Sequence, residues 1–419
     1  MRLLLNKCTV MFATKIQESL QESISALPVM LCAPSLRHDV DELLRPQFAG
    51  GSFAVVDDVY TRDAFGAQAF GALAGIKGSA HITLDKGVEA TDEAVAEVRR
   101  KSASCDVLVA VGSGTVSDIC KYAAAQEGKP YVVFPTAASM NGYTSANASI
   151  TLKGHKTSLA AQLPEAIYCD MGVICAAPPR LHKSGLGDSV ARATAQTDWL
   201  LSHLLLGTPY EPLVFSWVAE LEEELFANAR GLALADPASI EQLIKLLLLS
   251  GLGMTHAKGS YPASQAEHMI AHSYHMLKGS PLPATLHGEE IGVTTLLCAK
   301  LQERLMNGAP ILCEAVFGAA AMQDAFGEAL LPSFEEAYAP KQLRLTSELA
   351  EKLYANWPFI AAQLQAVSLP EAKIRQVLTQ AEALVEAGAL GWEDARLNQA
   401  ATLARFTRDR FTCLDLRLL

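Results

Sequence analysis

Four of the chain's ten histidines fall between positions 268 and 287, a span under a twentieth of its 419 residues. The segment Glu267-His268-Met269-Ile270-Ala271-His272 sets two of them at i and i+4, on one face of a predicted helix, and His275 follows three residues later. Leu286-His287-Gly288-Glu289 opens another helical run. Upstream, Gly185-Leu186-Gly187-Asp188 leads into Ser189-Val190-Ala191-Arg192, which puts Asp188 near a predicted helix N-terminus, where it could equally serve as an N-cap. Imidazole nitrogens combined with a carboxylate suit Zn, Ni, Fe or Co, whereas oxygen-only ligation suits Mg or Ca. Three protein ligands leave a position open, and a divalent ion there can polarise a carbonyl or stabilise the alkoxide from which hydride leaves. Most single histidines are structural. Spacing alone leaves open which of the four would ligate.

A hydride needs a carrier, and three earlier segments could hold a dinucleotide. Residues 106–122, DVLVAVGSGTVSDICKY, read as strand, glycine turn and helix, with Gly112 and Gly114 but no third glycine. Such a turn lets phosphate approach the backbone while the positive end of the helix faces the anion; a plain tight turn has the same pattern. Val55-Val56-Asp57-Asp58 ends an earlier strand, where a carboxylate can meet a ribose or stand in a solvated turn. After the strand at 131–134 comes PTAASMNGYTS, in which Thr136, Ser139, Asn141, Tyr143, Thr144 and Ser145 can all hydrogen-bond. Strand ends of this kind bind ligands in open parallel sheets, so ligand contact is expected here rather than a polar surface loop.

These segments require a particular scaffold. The short, nearly all-apolar runs at 53–56, 107–111, 131–134 and 167–169 alternate with helical stretches, the pattern of a parallel sheet covered on both faces. Past Pro178-Pro179 the texture turns to long Ala-, Leu-, Glu- and Gln-rich helical patterns. The expected organisation is a Rossmann-like α/β dinucleotide-binding domain at 1–177 and an all-helical domain at 178–419 that binds metal and substrate. Two domains also make a cleft. The apolar run 243–249, interrupted by Lys245, is too short to span a bilayer and is expected to be a buried helix.

Composition narrows the function classes. A net charge of -11, with Arg99-Arg100-Lys101 as one short basic run, argues against a nucleic-acid partner. Residues 1–11 hold three leucines followed by Asn6, Lys7 and Thr9, which does not read as a signal peptide. Nine cysteines without a CxxC pair suit a reduced cytoplasmic protein without membrane insertion.

In order and spacing these motifs resemble the superfamily of dehydroquinate synthase, iron-containing alcohol dehydrogenases and glycerol dehydrogenase, and within it the glycerol-1-phosphate dehydrogenase family. The resemblance runs from Val55-Val56-Asp57 to Arg408-Asp409-Arg410-Phe411-Thr412, and PTAASMNGYTS, SQAEHMIAH and LHGEEIGV carry it most specifically. It implies a pyrophosphate loop on Gly112, Ser113, Gly114, Thr115 and Val116, and a second nucleotide loop on Thr136, Ala137, Ala138, Ser139 and Ser145. It implies metal ligation by Asp188, His268 and His287, and leaves His272 to touch substrate and relay a proton. Asn141 stands where the family usually has an aspartate that hydrogen-bonds the substrate hydroxyl. The implied reaction is reversible reduction of dihydroxyacetone phosphate to sn-glycerol 1-phosphate with NAD(P)H and one divalent metal, Zn, Ni or Fe, in a homodimer. Asp57 and Asp58 at a ribose would repel a 2′-phosphate and favour NAD. Lys153, His155 and Lys156 are candidate cations for the substrate phosphate or residues of a solvated turn. The alternatives are an unphosphorylated polyol or alcohol dehydrogenase, a synthase-type cyclase, and a nucleotide-binding sensor without chemistry.

Overall fold

The computed structural model describes residues 11–152, 155–279 and 283–418, with residues 155 and 156 described by backbone alone. Most of the N-terminal stretch read against a signal peptide, residues 1–10, lies outside the described residues. So do Lys153, the side chains of His155 and Lys156, and residues 280–282 ahead of His287. The chain divides into two compact units, Met1–Gly185 with Trp217–Lys258, and Leu186–Ser216 with Gly259–Leu419.

The first unit is built on a six-stranded parallel sheet of β1 (Val29–Ala33), β2 (Phe53–Asp58), β3 (Ala80–Leu84), β4 (Val107–Gly112), β5 (Tyr131–Pro135) and β8 (Ala166–Asp170). Its spatial order is β1-β8-β5-β4-β2-β3. The four strands expected from sequence are the four inner ones, and every residue of β4, β5 and β8 is buried, because helices cover both faces. The strands not expected, β1 and β3, are the two edges and both are partly exposed; β3 alternates apolar residues with His81 and Thr83, whereas β1, VMLCA, is an apolar run like those of the inner strands. A separate antiparallel hairpin pairs β6 (Asn147–Leu152) with β7 (His155–Ala160). The sheet order sets the carboxyl ends of β2, β4 and β5 side by side, and these carry the three candidate dinucleotide segments.

The helix Pro237–His256 also belongs to this unit. Its Leu243, Leu246, Leu247, Leu248 and Leu249 are buried, as the run 243–249 implied, while Lys245 reaches Glu241 at 2.7 Å. Among the described residues no helix is long and apolar enough to cross a membrane.

The second unit is mostly helical, apart from a two-stranded antiparallel ribbon of Pro310–Leu312 and Leu416–Leu418. Its core gathers Met269, Ile270, Tyr274, Ile291, Phe334 and Trp357, with Trp392 stacked on Tyr274 at 3.9 Å between ring centroids. Residues 179–206 form one helix. Pro179 is its first residue, where a missing N–H costs nothing. Asp188 therefore lies more than two turns inside the helix, not at an N-terminus, and the N-cap reading is corrected.

Candidate metal centre

Asp188, His268 and His287 come together in the second unit, each offering a ligand atom within 4.8 Å of the others. Asp188 Oδ1 is 3.5 Å from His268 Nε2 and 3.8 Å from His287 Nε2. Donors bound tetrahedrally at about 2.1 Å from one ion stand roughly 3.4 Å apart. The observed separations fit a single ion after small side-chain movements. Asp188 and His268 are buried, whereas the His287 side chain is 35% exposed, so the cluster opens on the His287 side.

Three contacts position these groups. Gly187, beside Asp188, packs on Gly288, beside His287, so closely that a methyl at 187 would overlap the Gly288 carbonyl oxygen. Gly292, one turn on from Gly288, continues the seam: a methyl there would sit 3.3 Å from the Gly187 Cα. The third contact orients His268. Its Nδ1 lies 2.9 Å from Glu267 Oε1, and the fully buried Glu267 also accepts from Thr194 Oγ1 at 3.0 Å and the Gln265 amide at 2.6 Å. A carboxylate accepts only, so Nδ1 carries a proton and Nε2 is the nitrogen left to face the cluster, the arrangement that orients metal-bound imidazoles. Burial opposes a charge on His268, but hydrogen bonds and charge from Asp188 and Glu267 outweigh it and raise its pKa. The cluster is an electronegative pocket suited to a cation.

The other two histidines stand outside this donor set. The His272 ring centroid is 6.0 Å from that of His268 and 5.8 Å from that of His287, and its Nδ1 meets Arg408 Nη2 at 2.9 Å. His275 Nε2 binds Glu290 Oε1 at 2.6 Å. Sequence reasoning assigned no role to Glu267, Gly187 or Arg408. Neighbours at i and i+1 do not face each other on a regular helix, and Arg408 is 136 residues from His272, so spacing carried no signal.

In the first unit, Ser113 stands at the N-cap of the helix Gly114–Glu127 without spending its hydroxyl on it. The first N–H groups of that helix have no acceptor within it, and Ser113, Gly114 and Thr115 are partly exposed. The end of the helix is thus open to an anion. Gly112 has a packing reason as well, since a methyl there would press within 2.5 Å of Val116 Cβ.

The loop after β5 is more constrained than its composition implied. Tyr143 donates to the Ala137 carbonyl at 2.9 Å and Thr144 to the Leu248 carbonyl at 2.6 Å, so both hydroxyls hold the loop together. Thr136, Ala137, Ala138 and Ser145 are buried, whereas Ser139 and Asn141 are partly exposed, with Asn141 Nδ2 3.4 Å from Ser250 Oγ. Buried Lys121 ties the far side, donating to the carbonyls of Gly142 at 2.5 Å and Asn147 at 3.0 Å and pairing with Asp118 at 3.2 Å. At the end of β2, Asp57 is fully buried with its carboxylate 2.6 Å from His81 Nε2, and burial pushes its pKa up. Asp58 caps the next turn, accepting from the Tyr60 and Thr61 amides at 2.8 Å. The carboxylate expected at a ribose is therefore not presented to solvent by Asp57.

Comparison with known proteins agrees with the resemblance read from the motifs. Residues 32–178 match the family described as iron-containing alcohol dehydrogenase. The chain is 37% identical over 201 residues to a glycerol-1-phosphate dehydrogenase [NAD(P)+] of Bacillus subtilis, covering 48% of this chain and 51% of that protein. It is 36% identical over 222 residues to a protein of the same name from Thermococcus kodakarensis, covering 52% and 62%. The chain thus spans between half and two thirds of these relatives. The fold matches that of maleylacetate reductase from Agrobacterium tumefaciens with a TM-score of 0.56, at 19% identity over 90% of this chain and 89% of the other. An NAD(P) coenzyme and a divalent metal fit this family.

Proposed function

We propose, from a chain whose residues 32–178 match the iron-containing alcohol dehydrogenases, that this protein is a metal-dependent oxidoreductase. Its reaction is the reversible reduction of dihydroxyacetone phosphate to sn-glycerol 1-phosphate with NAD(P)H. The observation that carries this reading is the Asp188, His268 and His287 donor set. The names of the relatives from B. subtilis and T. kodakarensis support the substrate.

In this reading Asp188, His268 and His287 hold one divalent ion, which supplies Lewis acidity toward a carbonyl oxygen. Zinc suits the donors best, and nickel and iron share the preference for two imidazoles and a carboxylate. The amides of Gly114, Thr115 and Val116, with Gly112 and Ser113, receive the dinucleotide pyrophosphate. Thr136, Ala137, Ala138, Ser139 and Ser145 shape the second nucleotide loop. Asn141 and His272 contact the substrate, and Asn141 can accept or donate without adding charge. The protein acts in the cytoplasm as a homodimer.

The test is NADH oxidation with dihydroxyacetone phosphate against dihydroxyacetone, before and after removal of metal by chelation. The expected result is turnover of the phosphorylated ketone that disappears on stripping and returns with Zn, Ni or Fe. Undiminished activity in the stripped enzyme, or in the double variant Asp188→Ala with His268→Ala, would overturn the mechanism. A preference for the unphosphorylated ketone would move the protein to the polyol dehydrogenases.

A further inference from the structure

His268 and His272 lie one turn apart on the helix Ala266–Met276, yet their partners impose opposite proton positions. Glu267 faces Nδ1 of His268 at 2.9 Å; a carboxylate offers only lone pairs, so that nitrogen bears the hydrogen. Arg408 Nη2 faces Nδ1 of His272, also at 2.9 Å. A guanidinium has only donors, so Nδ1 of His272 must be the lone-pair nitrogen and Nε2 must bear the hydrogen.

Arg408 is not a loosely placed surface cation. Its Nη1 also reaches Ser264 Oγ at 3.4 Å. The backbone on either side is pinned by buried Lys341, whose Nζ donates to the Arg405 carbonyl and, at 2.9 Å, to the Arg410 carbonyl. Asp415 joins the clamp, 3.1 Å from both Lys341 Nζ and Arg405 Nε. Arg410 anchors the other side on the Ser264 carbonyl and, at 2.8 Å, on Ser260 Oγ. Burial and the neighbouring Arg410 push the Arg408 guanidinium down to about 10, which leaves it charged at neutral pH.

We propose that Arg408 is a positioning residue that fixes His272 as an Nε2–H hydrogen-bond donor and keeps it out of the metal ligand set. This rests on the oxidoreductase reading above for its catalytic meaning. A relay that takes a proton at one ring nitrogen and releases it at the other needs both nitrogens open, and Nδ1 of His272 is engaged. His272 therefore orients a substrate oxygen by donating to it, as neutral imidazoles do toward carbonyls elsewhere. When bound, NAD(P)H would supply the hydride for carbonyl reduction, and the proton that completes the hydroxyl would come from solvent rather than through the His272 ring.

The test is long-range 1H–15N NMR of the histidine rings in the metal-free full chain, with His272 assigned by comparison with His272→Gln. The expected spectrum shows His268 protonated at Nδ1 and His272 at Nε2. Arg408→Met is expected to turn the His272 pattern into a mixture of tautomers, and Arg408→Lys, which keeps a donor, to preserve it. A wild-type His272 protonated at Nδ1, or an unchanged pattern in folded Arg408→Met, would overturn the proposal. A second readout needs no variant: X-ray absorption of the cobalt-loaded protein should count two imidazole ligands, and three would sink it. These measurements use no substrate, so failure to turn over dihydroxyacetone phosphate would remove the substrate reading alone.

Discussion

Gly187 lies against the Gly288 carbonyl with no room for a methyl group, and this contact sets the spacing between the next residue, Asp188, and the residue before, His287. Gly187→Ala should force the two helices apart. Overpacking of this kind costs about 1–3 kcal/mol, and the loss should fall on ligand spacing as well as stability. The expected outcome is a lower melting temperature together with at least about tenfold weaker metal binding, measured by chelator competition. Unchanged metal affinity would show that the glycine contact does not govern the cluster.

Glu267 supports His268 without joining the donor set. Glu267→Met keeps roughly the volume but removes both acceptor oxygens, so the Thr194, Gln265 and His268 donors all lose their partner. Loss of such a partner typically costs about 10–100-fold in metal affinity. That loss should appear in metal titrations while the far-UV circular dichroism stays native.

Asp198 lies on the same helix as Asp188 and is completely buried. Burial and the nearby Glu267 charge raise its pKa to about 7, although the Cys413 amide and Gln302, both at 2.9 Å, oppose the rise. In the unfolded chain this group ionises near 3.8. Between those values the folded state holds a proton that the unfolded state has lost, so stability falls as pH rises through the window and levels off above about 7. Chemical denaturation of the metal-free protein from pH 4 to 8 should show this decline, and Asp198→Asn should flatten it by about one proton. Parallel pH profiles for the two proteins would contradict the assignment.

The end of β2 bears on coenzyme choice. With Asp57 turned to His81 and Asp58 capping a turn, neither acts as the free carboxylate that repels a 2′-phosphate. NADPH should therefore bind within about tenfold of NADH by fluorescence titration, in place of the NAD preference read from the two aspartates alone. A discrimination of about a hundredfold against NADPH would restore a ribose-facing carboxylate.

Much of the protein was legible from sequence, for reasons that differ by element. The inner strands β2, β4, β5 and β8 announced themselves because burial on both faces demands an unbroken apolar run, while the edge strand β3 alternates apolar with polar residues and left no comparable trace; β1, VMLCA, carries an apolar run of the same kind although it is not among the expected strands. Clustering proposed a histidine site, and the order of motifs chose Asp188, His268 and His287. Tertiary structure alone decided what surrounds them. Asp188 reaches its partners from within a long helix because two glycines let backbones touch, which no local pattern encodes. The division of labour between His268 and His272 is set by Glu267 and Arg408. A ring's proton position depends on the atom facing it, and for His272 that atom comes from 136 residues away.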